Sequence, residues 1–307
     1  DEISDFQNVL SGRRSAIVSP PVPVSDEING QRACMIKKVI LDTDIGNDCD
    51  DAGALAMLCG YACRGKCEIL GVACCTAKPY APSCVRAIAE DYRLTFPVGR
   101  LTDGFDGVQD YYCGLFKEKQ ACSEEYIRFY RKIFVDNRDI ILICIGPLHG
   151  MNLLLASCAD DISPLTGTEL FKESVSRIYA MCGRFDGETE WNISMDILSA
   201  RSFFLRCPVP VEVCPFEEGF GVMTGRNLRE GSAAKKIYAS FCRDKRGVRD
   251  SWDPLTVYAA VEGKKCRGER CRLTVDEKGK MTREEGRGHC VIKAQRDIGK
   301  ILDKRMV

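Results

Sequence analysis

The sequence predicts an α/β domain with a mostly parallel central sheet and helices on both faces, of the doubly wound type. Three observations lead there. From Ile36 onward, short and almost continuously apolar runs of β type alternate with helical ones. The chain has 307 residues, 45% of them hydrophobic, which suits one large α/β domain or two small ones of ordinary globular composition. One apolar run ends in a burst of acidic residues, and ligands of such sheets bind beyond the carboxyl ends of the strands.

The elements follow in order. Residues 1–34 are polar, contain "SPPVPVS" and keep no period, so they read as an arm or extension, and residues 35–307 as the folded domain. Strands are expected at Lys38–Leu41, Glu68–Ala73, Asp139–Ile145, Val175–Met181 and Val209–Val213. Helices are expected at Ala52–Ala62, Pro82–Leu94, Glu124–Phe134, Met151–Cys158, Ile197–Arg206 and Ala233–Cys242. From Arg243 the chain reads as charged and Gly-rich, with a hairpin around Arg272–Met281 and Gly288–Ile292 and a short final helix.

Lys plus Arg and Asp plus Glu number 44 each, so bulk charge offers no attraction to nucleic acid or to an anionic membrane. The Lys/Arg-rich stretch Lys264–Arg272 reads as a solvated face. No apolar run reaches the roughly 18 residues that span a bilayer. The sequence opens on no basic and apolar leader, having lost one or never had one. Nineteen cysteines admit two readings, a disulfide-rich secreted protein or a chain that uses Cys as a small buried hydrophobe. Cys74, Cys75 and Cys144 lie inside apolar runs, which favours buried thiols and a cytoplasmic location over a secreted one. Cys266, Cys271 and Cys290 stand in a polar region and are the better bridge candidates; their spacing, with His289, fits no usual zinc pattern.

The chemistry concentrates in "VILDTDIGNDCDDAGALAML", where Asp42, Asp44, Asp48, Asp50 and Asp51 crowd between a strand and a helix. Carboxylates so placed repel one another and are costly to bury without a cation. Capping the next helix accounts for Asp50 or Asp51 but not for five aspartates. An all-oxygen donor set selects Ca²⁺ or Mg²⁺, and several carboxylates with a backbone carbonyl suit Ca²⁺ better. An EF-hand fits poorly, since no Glu stands at the needed offset. The Asp-x-Asp after a strand also fits a phosphohydrolase of haloacid dehalogenase type, in which one Asp attacks phosphorus.

The segment "ILDTDIGNDCDDAGAL" resembles the amino-terminal signature of the inosine–uridine-preferring nucleoside hydrolases, whose usual form is DTDxGxDDA. "ILICIGPLHGMNLLLA", "MCGRFDGETEWNI" and "VRDSWDPLTVYAAV" are similar, in the right order, to three later family segments. The resemblance implies Ca²⁺-dependent hydrolysis of the N-glycosidic bond of a ribonucleoside to free base and ribose. It implies that Asp44 touches Ca²⁺ and acts as general base, and that Asp51, Asp253 and the carbonyl oxygen of Ile145 complete the metal site. Asp50 would hold a ribose hydroxyl, Glu190 and Asn192 would reach the ribose on its 5′ side, Met181 would line the sugar pocket, and Asp42 would support the ligands from behind. A homodimer or homotetramer is the family expectation.

Three departures stand out. The spacer between Gly46 and Asp50 is two residues longer than in the common signature, which makes Asp48 an alternative ligand. Trp252 replaces the His that usually precedes the late Asp, so the leaving base needs other activation, such as stacking on Trp252 or Tyr258. "GVACCTAKPYAP" lacks the usual Asn and offers Lys78 and Tyr80 instead. Trp252 also reads as plain packing and His149 as a residue that satisfies the following helix, while Glu190 and Asn192 read as loop polars outside the matched motif. Asn192 opens the chain's one glycosylation sequon, and a glycan there would block the pocket. A phosphohydrolase and a non-catalytic nucleoside or sugar binder remain as rivals.

Overall fold

The β-branched run before the aspartates forms the strand Lys37–Thr43 (β1), buried along its last five residues. In the computed structural model, residues 36–106, 109–119, 121–242 and 247–306 are described; the arm read at residues 1–34 lies outside them. Then come Asp50–Cys63 (α1), Cys67–Cys74 (β2), Ala81–Asp91 (α2), Val98–Arg100 (β3) and a 3₁₀ turn over Cys113–Lys119. Glu124–Glu125 (β4), Tyr126–Asp136 (α3), Ile140–Cys144 (β5), His149–Ala156 (α4), Gly167–Ser174 (α5) and Val175–Met181 (β6) complete the first half. The second half holds Trp191–Met195 (α6), Ile197–Arg206 (α7), Val211–Cys214 (β7), Phe216–Gly219 (α8) and Met223–Thr224 (β8). Ala233–Cys242 (α9), Arg249–Asp250 (β9), Trp252–Val261 (α10), Cys266–Val275 (β10), Met281–Ala294 (β11) and Ile298–Arg305 (α11) end it.

Among the described residues one sheet runs in the order β10-β11-β7-β6-β5-β1-β2-β3-β4. Every neighbouring pair in it is parallel except the β10–β11 hairpin at the edge. The central strand β1 therefore lies between β2 and β5, with Asp42 opposite Ala73 and Cys144. Side chains alternate across it: Val39 and Leu41 join the core shared with α1, α2, α9 and α10, and Ile40 joins the core shared with α3, α4, α5 and α7. Helices thus cover both faces, as near-continuous apolar strands require.

The five expected strands and six expected helices are all present, with ends shifted by up to three residues. One expectation needs correcting. The chain after Arg243 is not merely polar, because it contains the buried helix α10. That helix is apolar on nearly every side and so carries no amphipathic period to read. The bridge candidates Cys266, Cys271 and Cys290 all lie on the hairpin, and none of the described cysteines is in a disulfide. Among the described residues no helix is long and apolar enough to cross a membrane.

Candidate active site

The site lies beyond the carboxyl ends of β1, β5 and β6, and two helix starts build its floor. The helix α1 opens with Asp50 and Asp51, and α10 has Asp253 in its first turn. Asp50 Oδ2 accepts hydrogen bonds from the backbone N–H of Trp252 and of Asp253, both at 3.1 Å, so one motif carboxylate caps the other helix. Carboxylate oxygens of Asp50, Asp51 and Asp253 lie within 4.8 Å of one another, with 2%, 2% and 4% of each residue exposed. Thr43 Oγ1 donates a hydrogen bond to Asp51 Oδ1.

Asp44 follows β1 and lines the same cavity, its Oδ2 accepting from Asn47 Nδ2 at 2.6 Å. Two glycines make room, one for Asp44 itself and one for Lys78 beside it. A Cβ on Gly146 would stand 2.8 Å from Asp44 Oδ1 and 2.9 Å from Asp44 N. Gly46 has φ +120°, and a Cβ there would stand 2.8 Å from Lys78 Cδ. Burial raises the Asp44 carboxyl to about 6, although the Asn47 bond and the Lys78 charge pull it down. Asp50, Asp51 and Asp253 are pushed well above the ordinary carboxylate range, first by burial and then by the charges of neighbouring aspartates.

Glu190 caps α6, accepting from Asn192 N at 2.8 Å, Ile193 N at 3.2 Å and Gly183 N at 3.3 Å. Burial lifts its carboxyl to about 7 against those three bonds. Asn192 is buried, with Nδ2 donating to Met181 O at 3.0 Å and Ile145 O at 3.4 Å, an arrangement that leaves no room for a glycan.

The rim is aromatic. Trp252 stacks on Phe216 with centroids 5.4 Å apart, and its Nε1–H donates to Phe216 O at 2.9 Å. The Arg249 guanidinium lies 5.1 Å from the Trp252 ring and 5.8 Å from Phe241, which meets Tyr111 edge-on at 5.9 Å. Floor and rim enclose a cavity of about 730 Å³, within the range of small-molecule sites.

Ten of the residues singled out for the site line this one cavity: Asp44, Asp48, Asp50, Asp51, Ile145, Met181, Glu190, Asn192, Trp252 and Asp253. Asp48 stands apart from the three clustered carboxylates and pairs with Arg249, whose Nη2 is 2.5 Å from Asp48 Oδ2. The lengthened loop that carries Asp48 is also held by Tyr112, whose hydroxyl donates to Asp48 O at 2.6 Å and accepts from Gly46 N at 2.8 Å. Tyr258, suggested for stacking, is buried in the core instead and does not line the cavity. His149 does not cap its helix; its ring bridges Asp196 at 2.7 Å and Asp103 at 2.9 Å and stacks on Phe105. Asp42 is wholly buried, with Oδ2 accepting from Tyr126 and Tyr130 at 2.6 and 2.7 Å, so it cannot reach a phosphorus atom as the phosphohydrolase reading requires. Asn47, Asp106, Tyr111, Phe216, Phe241 and Arg249 also line the cavity and were missed. Only Asn47 and Arg249 stand inside a recognised motif, and nothing local marks the others.

Comparison with known proteins agrees with this layout. The family model described as inosine-uridine preferring nucleoside hydrolase matches residues 39–305. No curated protein matches the sequence significantly. Among solved structures, an inosine-guanosine nucleoside hydrolase is similar with a TM-score of 0.70 at 15% identity, over 88% of this chain and 98% of the other. The plant nucleoside hydrolase PpNRh1 is similar at 0.68 and 19%, over 88% and 98%. A purine-preferring ribonucleoside hydrolase from Gardnerella vaginalis is similar at 0.66 and 19%, over 88% and 97%. At such identities the structures attest the fold, while the family model spans nearly all of the described domain. The chain belongs to the inosine-uridine preferring nucleoside hydrolase family and is an N-glycosyl hydrolase.

Proposed function

We propose that the protein hydrolyses the N-glycosidic bond of ribonucleosides to free base and ribose in a Ca²⁺-dependent reaction. The observation that carries this is the trio Asp50, Asp51 and Asp253, buried with carboxylate oxygens within 4.8 Å of one another on the floor of an open cavity. Three such groups cannot all ionise without a cation. With Asp44 and Ile145 lining the same cavity, the donors on offer are all oxygen, which suits Ca²⁺ better than softer metals. Asp44, Asp51, Asp253 and the Ile145 carbonyl would hold the ion. When bound, it supplies fixed positive charge that orients the sugar hydroxyls and the attacking water.

The chain's own residues account for the rest. Asp44, held by Asn47, takes a proton from water as its oxygen bonds to the anomeric carbon and the bond to the base nitrogen breaks. The ribose gains positive charge in that step, and the surrounding carboxylates stabilise it. Asp50 has one oxygen committed to α10 and one for a ribose hydroxyl. Glu190 and Asn192, fixed by α6 and the Met181 carbonyl, stand on the 5′ side, and Met181 packs against the sugar. No histidine lines the cavity among the described residues. The departing base therefore leaves toward the Trp252, Phe241 and Tyr111 rim, where Arg249 offsets its negative charge and solvent returns the proton. The free thiols favour a reducing, cytoplasmic setting.

The test is ribose release from a panel of purine and pyrimidine nucleosides, with Ca²⁺ and again after chelation. Release that stops on chelation and returns with Ca²⁺ is expected. No release from any nucleoside while metal is bound would sink the proposal.

A further inference from the structure

Lys78 is a fully buried lysine near the place where the usual signature has Asn. It leaves the chain just past β2, and its stem passes against Gly46, in the turn that follows Asp44. Its Nζ donates to Thr76 Oγ1 at 3.2 Å and to Asp106 Oδ2 at 2.9 Å. Both side chains of the ion pair are 0% exposed. Asp106 nevertheless lines the cavity, and its other oxygen, Oδ1, is buried with no hydrogen-bond partner among the described residues. A buried carboxylate oxygen without a donor is a costly arrangement unless a ligand supplies one.

The partners exclude one use of the pair. Lys78 Nζ is already held by a carboxylate and a hydroxyl, so it does not invite an anionic group of the substrate. What remains open is an acceptor. Its position is at the acid end: Lys78, which holds Asp106, packs against Gly46, two residues past Asp44, and Asp106 and Asp44 line the same cavity. The sugar, not the base, lies at that end in the reaction proposed above.

We infer that Asp106 is a further sugar-binding residue, whose Oδ1 accepts a hydrogen bond from a hydroxyl of the substrate's ribose while Lys78 fixes the carboxylate from behind. The inference rests on the nucleoside hydrolase reading and adds a recognition contact to it. It also gives the Asn-to-Lys departure a purpose. Lys78 acts there as a buried cation that holds a carboxylate supplied by the loop after β3.

The experiment compares kcat/KM for the preferred ribonucleoside and its 2′-, 3′- and 5′-deoxy analogues in the wild type and in Lys78→Met/Asp106→Ala. The double change avoids stranding a buried ammonium, which the single Asp106→Ala would do. A charge-assisted hydrogen bond to a hydroxyl predicts a roughly ten- to hundred-fold loss for the ribonucleoside and little loss for the one analogue that lacks that hydroxyl. Calorimetric binding of free ribose and its deoxy forms gives the same comparison without turnover. Should the double variant unfold, Lys78→Met/Asp106→Asn, which keeps the carboxylate's shape and removes both charges together, is read the same way with a smaller loss expected. An equal loss for all four substrates would overturn the inference and leave the hydrolase reading intact. A wild type that turns over none of them would sink both.

Discussion

Asp44, Asp50 and Asp51 come from eight consecutive residues, whereas the aromatic rim draws Tyr111, Phe216, Phe241 and Trp252 from four separate stretches of the chain. The acid end is over-determined. Each of those carboxylates has a named hydrogen-bond donor, and two helix starts lock Asp50 against Asp253. At the rim, side chains hold one another by stacking, and the Asp48–Arg249 pair is part-exposed. Charge that must be compensated demands close and specific geometry, while stacking tolerates a change of ring or angle. The rim is therefore where base preference can drift while the acid end stays fixed.

The largest effect should come from Asp44. Asp44→Asn removes the proton acceptor and should lower kcat by roughly 10²–10⁴-fold with thermal unfolding little changed. Phe241→Leu at the rim should cost less than about ten-fold, mostly in KM and unequally among bases. Steady-state kinetics on both variants decides it. A rim variant as crippled as Asp44→Asn would erase the division between the two ends.

Metal affinity sharpens the comparison at Asp48, the one motif aspartate that faces the rim. Asp51→Asn should weaken Ca²⁺ binding by roughly hundred-fold in calorimetry, since ligand charge sets affinity in such sites. Asp48→Asn should change it by no more than about three-fold, because Arg249 already neutralises that carboxylate. A large loss in Asp48→Asn would return it to the ligand set. The same titrations should show protons released on binding and affinity falling toward acid pH, because Asp50, Asp51 and Asp253 hold protons to unusually high pH without a cation. With their folded pKa values raised, the metal-free protein should lose stability as pH climbs above the ordinary carboxylate range, and Ca²⁺ should restore it.

That contrast also explains what the sequence discloses. The strands β1 and β5 were readable because burial on both faces leaves Val/Ile/Leu runs, and the acid end because its residues are neighbours in the chain. The helix α10 was not readable, since burial on nearly every side hides its period. Asp106 and Tyr111 carry no local signal: the loop after β3 enters the site through contacts distant in sequence, such as Lys78 to Asp106. Lys78 itself was visible only as a departure, and its buried partner could not be guessed from spacing.

The smallest effect tests how that loop is held. Partial burial pulls the His149 pKa down, but hydrogen bonds to Asp196 and Asp103 outweigh it, and the net shift is upward. Its ring also stacks on Phe105, next to Asp106. A histidine pKa raised on folding gives stability that is fully present below the ordinary value of about 6.5 and is lost as pH rises through the folded value. Asp103 is half exposed, so solvent screening limits the contribution to about 0.5–1 kcal/mol. His149→Gln should therefore lower stability by about that amount at pH 6, with the difference shrinking by pH 9 when urea unfolding is followed at both. A difference that does not change with pH would mean that packing on Phe105, not charge, holds the loop.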